Sequence, residues 1–227
     1  MPCGLCGDII PTVSVRCPAC GAWSHRRDFR ALAIGLFTLL GFNAFLALGS
    51  AVSMLRLLAG LNDQTVFGYD EASAGPVLAA YGDVFLISAV LAVVTGVLFI
   101  AWLWQAHAQA PGPLRHRRVW TVGSWFVPVA NLWMPPRIVH DVWVSTGRYR
   151  MARRHGVLLV VTAWWGSLLG GAALARTFPG MGANTLADAR FAVETGVAAA
   201  AGLALAATLC MAVVFQVTRL QLSTVLD

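Results

Sequence analysis

Long runs of apolar residues alternate along the chain with short segments that hold most of the polar and charged residues. The apolar runs cover residues 31–55, 77–104, 156–175 and 192–217. They are continuous and lack the two-residue alternation of barrel strands. A helix needs about 20 residues to cross a hydrocarbon core of about 30 Å, and each run reaches that length. The pattern therefore predicts an all-α integral membrane protein with four transmembrane helices.

The composition of the chain excludes a soluble globular enzyme. Hydrophobic residues make up 58% of the 227 residues and charged residues 11%, whereas a soluble domain carries roughly 25% charged residues. A signal peptide is the alternative explanation for the first run. That run is longer than the roughly 7 to 15 residues of a signal peptide's apolar core, and an organised cysteine motif precedes it, so we interpret it as a membrane span.

The arginines are distributed unevenly among the loops. The first 30 residues contain four arginines, and residues 105–155 contain eight arginines and one acidic residue, Asp141. The charged residues of the loop at 60–76, by contrast, are all acidic. Positive residues in short loops remain on the cytoplasmic side. We therefore predict a plasma-membrane protein with both termini in the cytoplasm. Its inner face should attract anionic lipid headgroups, although topology alone also explains these arginines.

Four of the five cysteines stand in two C-x-x-C pairs within residues 1–25. The pairs are Cys3 with Cys6 and Cys17 with Cys20, and a glycine follows each pair. Two such pairs complete a tetrahedral zinc site without an open position, which predicts a structural zinc ribbon. Two disulfides or an iron–sulfur centre are the alternatives, and a reducing cytoplasm disfavours disulfides. Nucleic-acid binding by the ribbon is not expected, because topology already explains the neighbouring arginines.

A segment rich in tryptophan and proline, residues 119–146, follows the second apolar run. A complete crossing here would put the arginines before the segment and the arginines after it on opposite sides of the membrane, against the preference of positive residues for the cytoplasmic side. We therefore predict a re-entrant or interfacial segment. Pro128 should break its helix. Pro135 and Pro136 suit the first turn of a short amphipathic helix lying along the inner membrane surface. Asn131 should donate to the backbone that the prolines leave unbonded, with contact to a ligand or partner as the alternative.

The strings WLWQAHAQA and VGSWFVPVANLWMPPRIVHDVW resemble a bacterial family of membrane proteins called domain of unknown function 4328. In that family, W-F-x-P-x-x-N-L-W-x-P precedes a helix that ends in Trp. The resemblance implies a multi-span membrane domain, often with an N-terminal zinc ribbon, and no established reaction. The signature residues that it implies are Trp125, Pro128, Asn131, Trp133, Pro135 and Trp143. This chain has Gln105, His107 and Gln109 where the family usually has a basic residue and an Asn.

Few ionisable residues lie inside the predicted spans. Arg56, Asp83 and Glu194 fall within about two turns of the outer ends of their spans, where we expect a polar cluster. Such a cluster would orient and pack the helices, or it would form a small outward-facing ligand site. Glycines and alanines recur at a spacing of four residues in the third and fourth spans, which predicts close packing within one chain rather than a dimer seam.

The chain contains no P-loop, G-x-S-x-G or H-E-x-x-H motif. We therefore expect a non-enzymatic inner-membrane protein whose zinc ribbon and Trp-rich segment form an interaction surface for a protein or anionic lipid. A small transporter or channel subunit is the alternative, and the sequence is compatible with a homo-oligomer. The predicted parts are a ribbon at 1–25, a basic linker at 26–30, a membrane domain at 31–222 and a tail at 223–227.

Cysteines introduced into two loops test the predicted orientation. A cysteine in place of Ser73 should react with a membrane-impermeant thiol reagent in intact cells, because the loop that contains it faces outward. A cysteine in place of Ser145 should react only after the cells are permeabilised. Labelling at Ser145 from outside would mean that the Trp-rich segment crosses the membrane completely and that the chain has five spans.

Overall fold

The computed structural model describes residues 6, 8–9, 17–19, 26–63, 71–110, 114–147, 151–177 and 185–223. Seven helices lie within these ranges: α1 (Arg26–Asn62), α2 (Glu71–Ala108), α3 (Trp120–Phe126), α4 (Pro128–Asn131), α5 (Met134–Gly147), α6 (Met151–Thr177) and α7 (Leu186–Ser223). The helical architecture that the sequence predicts is confirmed for this part of the chain.

Four of the helices are long and apolar enough to cross a membrane, as predicted. Their candidate spans are Arg30–Asn62 in α1, Leu86–Ala108 in α2, His155–Thr177 in α6 and Leu186–Leu222 in α7. In α1, α6 and α7 these stretches extend beyond the continuous apolar runs at both ends, and in α2 at the C-terminal end, because the helices continue through the more polar residues there.

Helix α7 occupies the centre of the bundle. It packs extensively against both α1 and α6, while α2 packs mainly on α1. The larger core lies where α1 and α6 begin and where α2 and α7 end, and α5 contributes one side of it. A smaller core, which includes Met54, Leu61 and Val193, joins the end of α1 to the start of α7. The bundle is therefore packed most densely at one end.

Helices α6 and α7 approach most closely at two glycines. A Cβ atom added to Gly171 would lie 2.9 Å from the backbone nitrogen of Leu203 and 3.1 Å from the carbonyl oxygen of Ala199. A Cβ atom added to Gly202 would lie 3.2 Å from the Cα atom of Gly171. The small residues of these two helices thus mediate close packing within the chain at this crossing. By contrast, a Cβ atom at Gly170 would meet no neighbouring atom within 4 Å.

A polar contact joins α1 to α2 within their spans. The Asn43 side chain donates from Nδ2 to Oγ1 of Thr95 over 2.9 Å, and the same nitrogen contacts the carbonyl oxygen of Leu39 at 2.8 Å. Thr95 in turn donates to the carbonyl of Leu91. The Thr95 hydroxyl therefore accepts from Asn43 while it donates to its own helix, and the contact holds α2 beside α1.

The expected polar cluster at the other end of the bundle is only partly described. Arg56 and Glu194 are both exposed, and no ion pair joins them in the described part of the chain. The side chain of Asp83 lies outside the described residues. The contact that the structure does show there involves Arg190, whose Nη2 donates to the carbonyl of Leu61 over 2.8 Å. Arg190 thereby satisfies a carbonyl at the end of α1.

Two neighbouring glycines of α6 test the packing against α7. Gly171→Ala should lower the melting temperature of the purified protein in detergent, because overpacking of this kind destabilises by about 1 to 3 kcal/mol. Gly170→Ala should leave the melting temperature unchanged or raise it slightly, since alanine is the better helix former and meets no neighbour. Circular dichroism measures both transitions. Equal effects of the two substitutions would contradict the close α6–α7 contact.

Candidate functional site

Pro128 breaks the Trp-rich segment into separate short helices, as predicted. Val127 is extended, with φ −93° and ψ 110°, and Pro128 occupies the first turn of α4. The extended conformation follows from the proline ring, which disfavours helical geometry at the residue before it. Because the proline nitrogen carries no hydrogen, the ring can also begin the next helix without losing a donor.

The amphipathic helix predicted after the second break is α5, with Pro135 and Pro136 in its first turn. The sequence predicted that the apolar side of this helix would face the membrane surface. Instead, that side packs into the bundle. The side chains of Ile138 and Val142 are each 1% exposed and belong to the larger core, together with residues of α6 and α7. An apolar stripe packs against whichever apolar surface is available, and here the bundle provides that surface.

Helices α3 and α4 carry the surface that the sequence assigned to the membrane interface. Phe126 is 76% exposed, although it is one of the largest apolar side chains of the segment. The other exposed large apolar residues of this surface are Val119, Trp120, Val127, Val129, Leu132 and Trp133. We call these seven residues the α3–α4 surface. Exposed apolar residues flanked by tryptophans suit contact with the membrane interface.

Trp125 attaches this segment to the bundle through aromatic packing. Its ring lies edge-on to Phe99 of α2 at 5.9 Å and to Trp165 of α6 at 5.5 Å between centroids. Phe99 also contacts Trp102 at 5.5 Å and Trp164 at 5.3 Å. We call these five residues the aromatic cluster. Pairs of aromatic rings in such geometry stabilise beyond the area that they bury, by about 0.5 to 1.5 kcal/mol each.

A carbonyl near the two breaks receives its hydrogen bond from α6. Nε1 of Trp165 donates to the carbonyl oxygen of Leu132 over 2.8 Å. The sequence predicted that Asn131 would supply such a bond, but the donor to this carbonyl is Trp165, and the oxygen Oδ1 of Asn131 is buried without a partner among the described residues. The signal for this contact in the sequence is the adjacent pair Trp164 and Trp165, which the apolar pattern alone placed in an ordinary span.

Several polar atoms around the Trp-rich segment are buried without a hydrogen bond from any described residue. They are Oε1 of Gln105, Oγ of Ser124, Nε1 of Trp125 and Oδ1 of Asn131. Buried polar atoms in proteins are usually bonded to protein or to ordered water. Two of these atoms belong to signature residues, and each has an unused hydrogen-bonding capacity: Trp125 has a free donor and Asn131 a free acceptor among the described residues.

Two histidines attach residues 114–119, which we call the α2–α3 loop, to their neighbours. The ring of His107 donates from Nε2 to the carbonyl oxygen of His116 over 3.0 Å, which gives a role to a position where this chain departs from the family pattern. Nδ1 of His116 lies 3.3 Å from Oδ2 of Asp141 on α5. His140 approaches the other oxygen of that carboxylate at 3.7 Å. Partial burial raises the pKa of Asp141, but the two histidines outweigh this effect and the pKa lies below its ordinary value.

Arg118 holds the same loop from its other side. Its guanidinium lies 4.2 Å from the centroid of the Trp104 ring, and Nε donates to the carbonyl oxygen of Trp104 over 3.1 Å. A cation over a tryptophan face is attracted by the ring quadrupole. The α2–α3 loop is therefore fixed to α2 by Arg118 and His107, and to α5 by His116.

The structure describes two of the four predicted zinc ligands. The Sγ atoms of Cys6 and Cys17 are 3.6 Å apart, too far for a bond between them, since a disulfide measures about 2.05 Å. Cys3 and Cys20 lie outside the described residues. Within the part of the chain that the structure describes, no group of three or more potential metal ligands is found.

Two substitutions separate the roles of Trp165 and Asn131. Trp165→Phe retains an aromatic ring but removes the donor to Leu132, so the free energy of unfolding should fall by about 1 to 3 kcal/mol. Asn131→Leu removes an acceptor that has no described donor, so the melting temperature should stay the same or rise. Thermal melting of the purified protein in detergent measures both effects. Loss of stability for Asn131→Leu alone would restore the capping role first predicted for that residue.

Comparison with known proteins identifies a family. The model of the domain of unknown function 4328 matches residues 64–219, a region that contains α2 to α6 and most of α7, while α1 and the cysteine motif precede it. No curated protein and no solved structure matches the chain. Because the match covers more than half of the chain and includes the whole Trp-rich segment, the protein belongs to the family called domain of unknown function 4328.

Proposed function

We propose that the protein is a non-enzymatic interaction or regulatory module of the plasma membrane. Its N-terminal zinc ribbon and its Trp-rich segment form an interaction surface for a partner protein or for anionic lipid. The observation that carries this proposal is the α3–α4 surface, where large apolar side chains are exposed on short helices attached to the bundle by the aromatic cluster. All seven residues of this surface lie outside the four candidate membrane spans, and large apolar residues exposed outside the spans mark an interaction site.

The packing of the bundle favours this function over transport. Transporters usually place ionisable residues near the middle of the membrane, facing a polar path. Among the described residues, the buried polar side chains are Thr95, Thr121, Ser124, Thr146 and Gln221, and none of them is ionisable. Trp102 and Leu103 are fully buried in the larger core. Dense apolar packing at that end leaves little support for a small transporter or channel subunit.

The proposed orientation places the Trp-rich segment and both termini in the cytoplasm. The exposed arginines Arg115, Arg117 and Arg137 lie in the connection between α2 and α6. That connection belongs to the end of the bundle where α1 begins and α7 ends. The positive-inside rule therefore puts this end, the cysteine motif and the C-terminal tail on one side of the membrane.

We propose that Cys3, Cys6, Cys17 and Cys20 hold one structural zinc ion. The distance of 3.6 Å between Sγ of Cys6 and Sγ of Cys17 supports this proposal. Two thiolates of a tetrahedral zinc site with Zn–S bonds of about 2.3 Å lie about 3.8 Å apart, and each C-x-x-C pair contributes one of the two described sulfurs. With four thiolates the ion would have no open position, so it would stabilise the ribbon rather than activate water.

Replacement of one ligand tests the ribbon and its role in binding together. The purified protein should contain about one Zn²⁺ per chain. Cys17→Ser should remove the metal and abolish recovery of a partner protein by affinity purification from detergent-solubilised membranes. The membrane domain should remain inserted, because its helices do not depend on the metal.

Cys210→Ser is the matched control for this experiment. Cys210 is buried within α7, so its replacement should retain both the zinc and the partner. Wild-type protein without zinc would contradict the ribbon. A partner recovered equally with Cys17→Ser would contradict the role of the ribbon in binding, and solute flux in proteoliposomes above the protein-free level would favour the transporter instead.

A further inference from the structure

Two arginines of the α2–α3 loop carry positive charge that no acidic side chain neutralises in the described part of the chain. Arg115 and Arg117 are exposed. Neither guanidinium takes part in an ion pair there, and the carboxylate of Asp141 is occupied by His116 and His140. The loop therefore presents two cations toward its surroundings.

These cations stand on a loop whose position is fixed. His116 attaches the loop to Asp141 of α5, His107 binds the carbonyl of His116, and Arg118 covers the ring of Trp104. Along the chain, Arg115 and Arg117 alternate with the anchoring residues His116 and Arg118. Ordering a loop before a ligand arrives reduces the entropy lost on binding, so the arrangement suits recognition of an anion.

The α3–α4 surface begins at the last residue of the loop. Val119 follows Arg118 and is 61% exposed. The loop also lies shortly after Ala108, where the apolar span of α2 ends. Positive charge at the end of a span, followed at once by exposed apolar residues, matches the depth profile of a membrane interface, in which phosphate groups lie next to acyl chains.

We propose that the α2–α3 loop and the α3–α4 surface together bind an anionic phospholipid of the leaflet that they face. Arg115 and Arg117 contact its phosphate, and Phe126 and its apolar neighbours contact its acyl chains. This inference rests on the proposed function, because it assigns a lipid partner to the same segment. Charge alone would equally suit a nucleic acid or free phosphate. The adjoining apolar surface selects a lipid, since neither of those ligands has acyl chains to cover it.

A lipid titration of the full-length protein tests the proposal. The protein is held in neutral detergent micelles with an increasing mole fraction of phosphatidylglycerol or of phosphatidylcholine, and the rise in melting temperature gives the apparent affinity. Phosphatidylglycerol should bind more tightly. The double variant Arg115→Gln, Arg117→Gln should bind it about 30-fold less tightly, which corresponds to about 1 kcal/mol for each arginine. Its binding of phosphatidylcholine should not change.

The chain offers a control with the same change in charge. Arg56 and Arg176 are also exposed, but they lie near the C-terminal ends of α1 and α6, at the end of the bundle away from the α2–α3 loop. Arg56→Gln combined with Arg176→Gln should leave the affinity for phosphatidylglycerol as in the wild type. Phe126→Ser should weaken the binding of both lipids by the same factor, because it removes an acyl-chain contact and leaves the charges intact.

Three results would overturn the proposal. The first is an equal loss of affinity in the two double arginine variants, which would reflect net charge alone. The second is binding of inorganic phosphate as tight as that of phosphatidylglycerol, which would identify a free-anion site. The third is tighter binding of a single-stranded oligonucleotide. Cys17→Ser should leave the lipid affinity unchanged, so a failure of the zinc ribbon and a failure of the lipid site are distinguishable.

Discussion

The hydrogen bond from the indole of Trp165 to the carbonyl of Leu132 joins the broken segment to the membrane bundle. Backbone groups released at a helix break need a partner wherever water is scarce. Pro128 interrupts the helix on one side of this region and Pro135 begins the next helix on the other. The donor from α6 allows the chain to turn twice within a few residues and still lie against apolar helices. The position of α5 depends on this turn.

The packing around that bond gives the molecule two unequal ends. At one end, five aromatic rings and the apolar side of α5 fill the space among the four long helices. At the other, a few residues of α1 and α7 form the smaller core, and Arg190 satisfies the end of α1. The well-packed end is also the one that carries the fixed arginine-rich loop and the α3–α4 surface. The exposed arginines and the α3–α4 surface therefore stand on the most densely packed part of the bundle.

Local patterns were sufficient to predict much of this fold. The four spans follow from the length of the apolar runs, and the break at Pro128 follows from proline chemistry alone. The stripe of Ile138 and Val142 predicted which side of α5 is apolar, but periodicity does not specify what that side meets. The donor to Leu132 lies 33 residues away in sequence, so no local pattern could choose Trp165 over Asn131. The contact of Arg190 with Leu61 spans 129 residues and was missed for the same reason.

The contact between Gly171 and Gly202 also limits how the sequence can evolve. When a larger side chain appears in most protein cores, a smaller one opposite it can restore the fit. Here the nearest neighbours include backbone atoms, such as the nitrogen of Leu203 and the carbonyl oxygen of Ala199, and no second substitution at this crossing can remove them. A larger residue at either position forces α6 and α7 apart or along each other, and Trp164 and Trp165 move with α6. Changes in this part of the membrane domain would thus reach the aromatic cluster, even though the glycines themselves touch none of its rings.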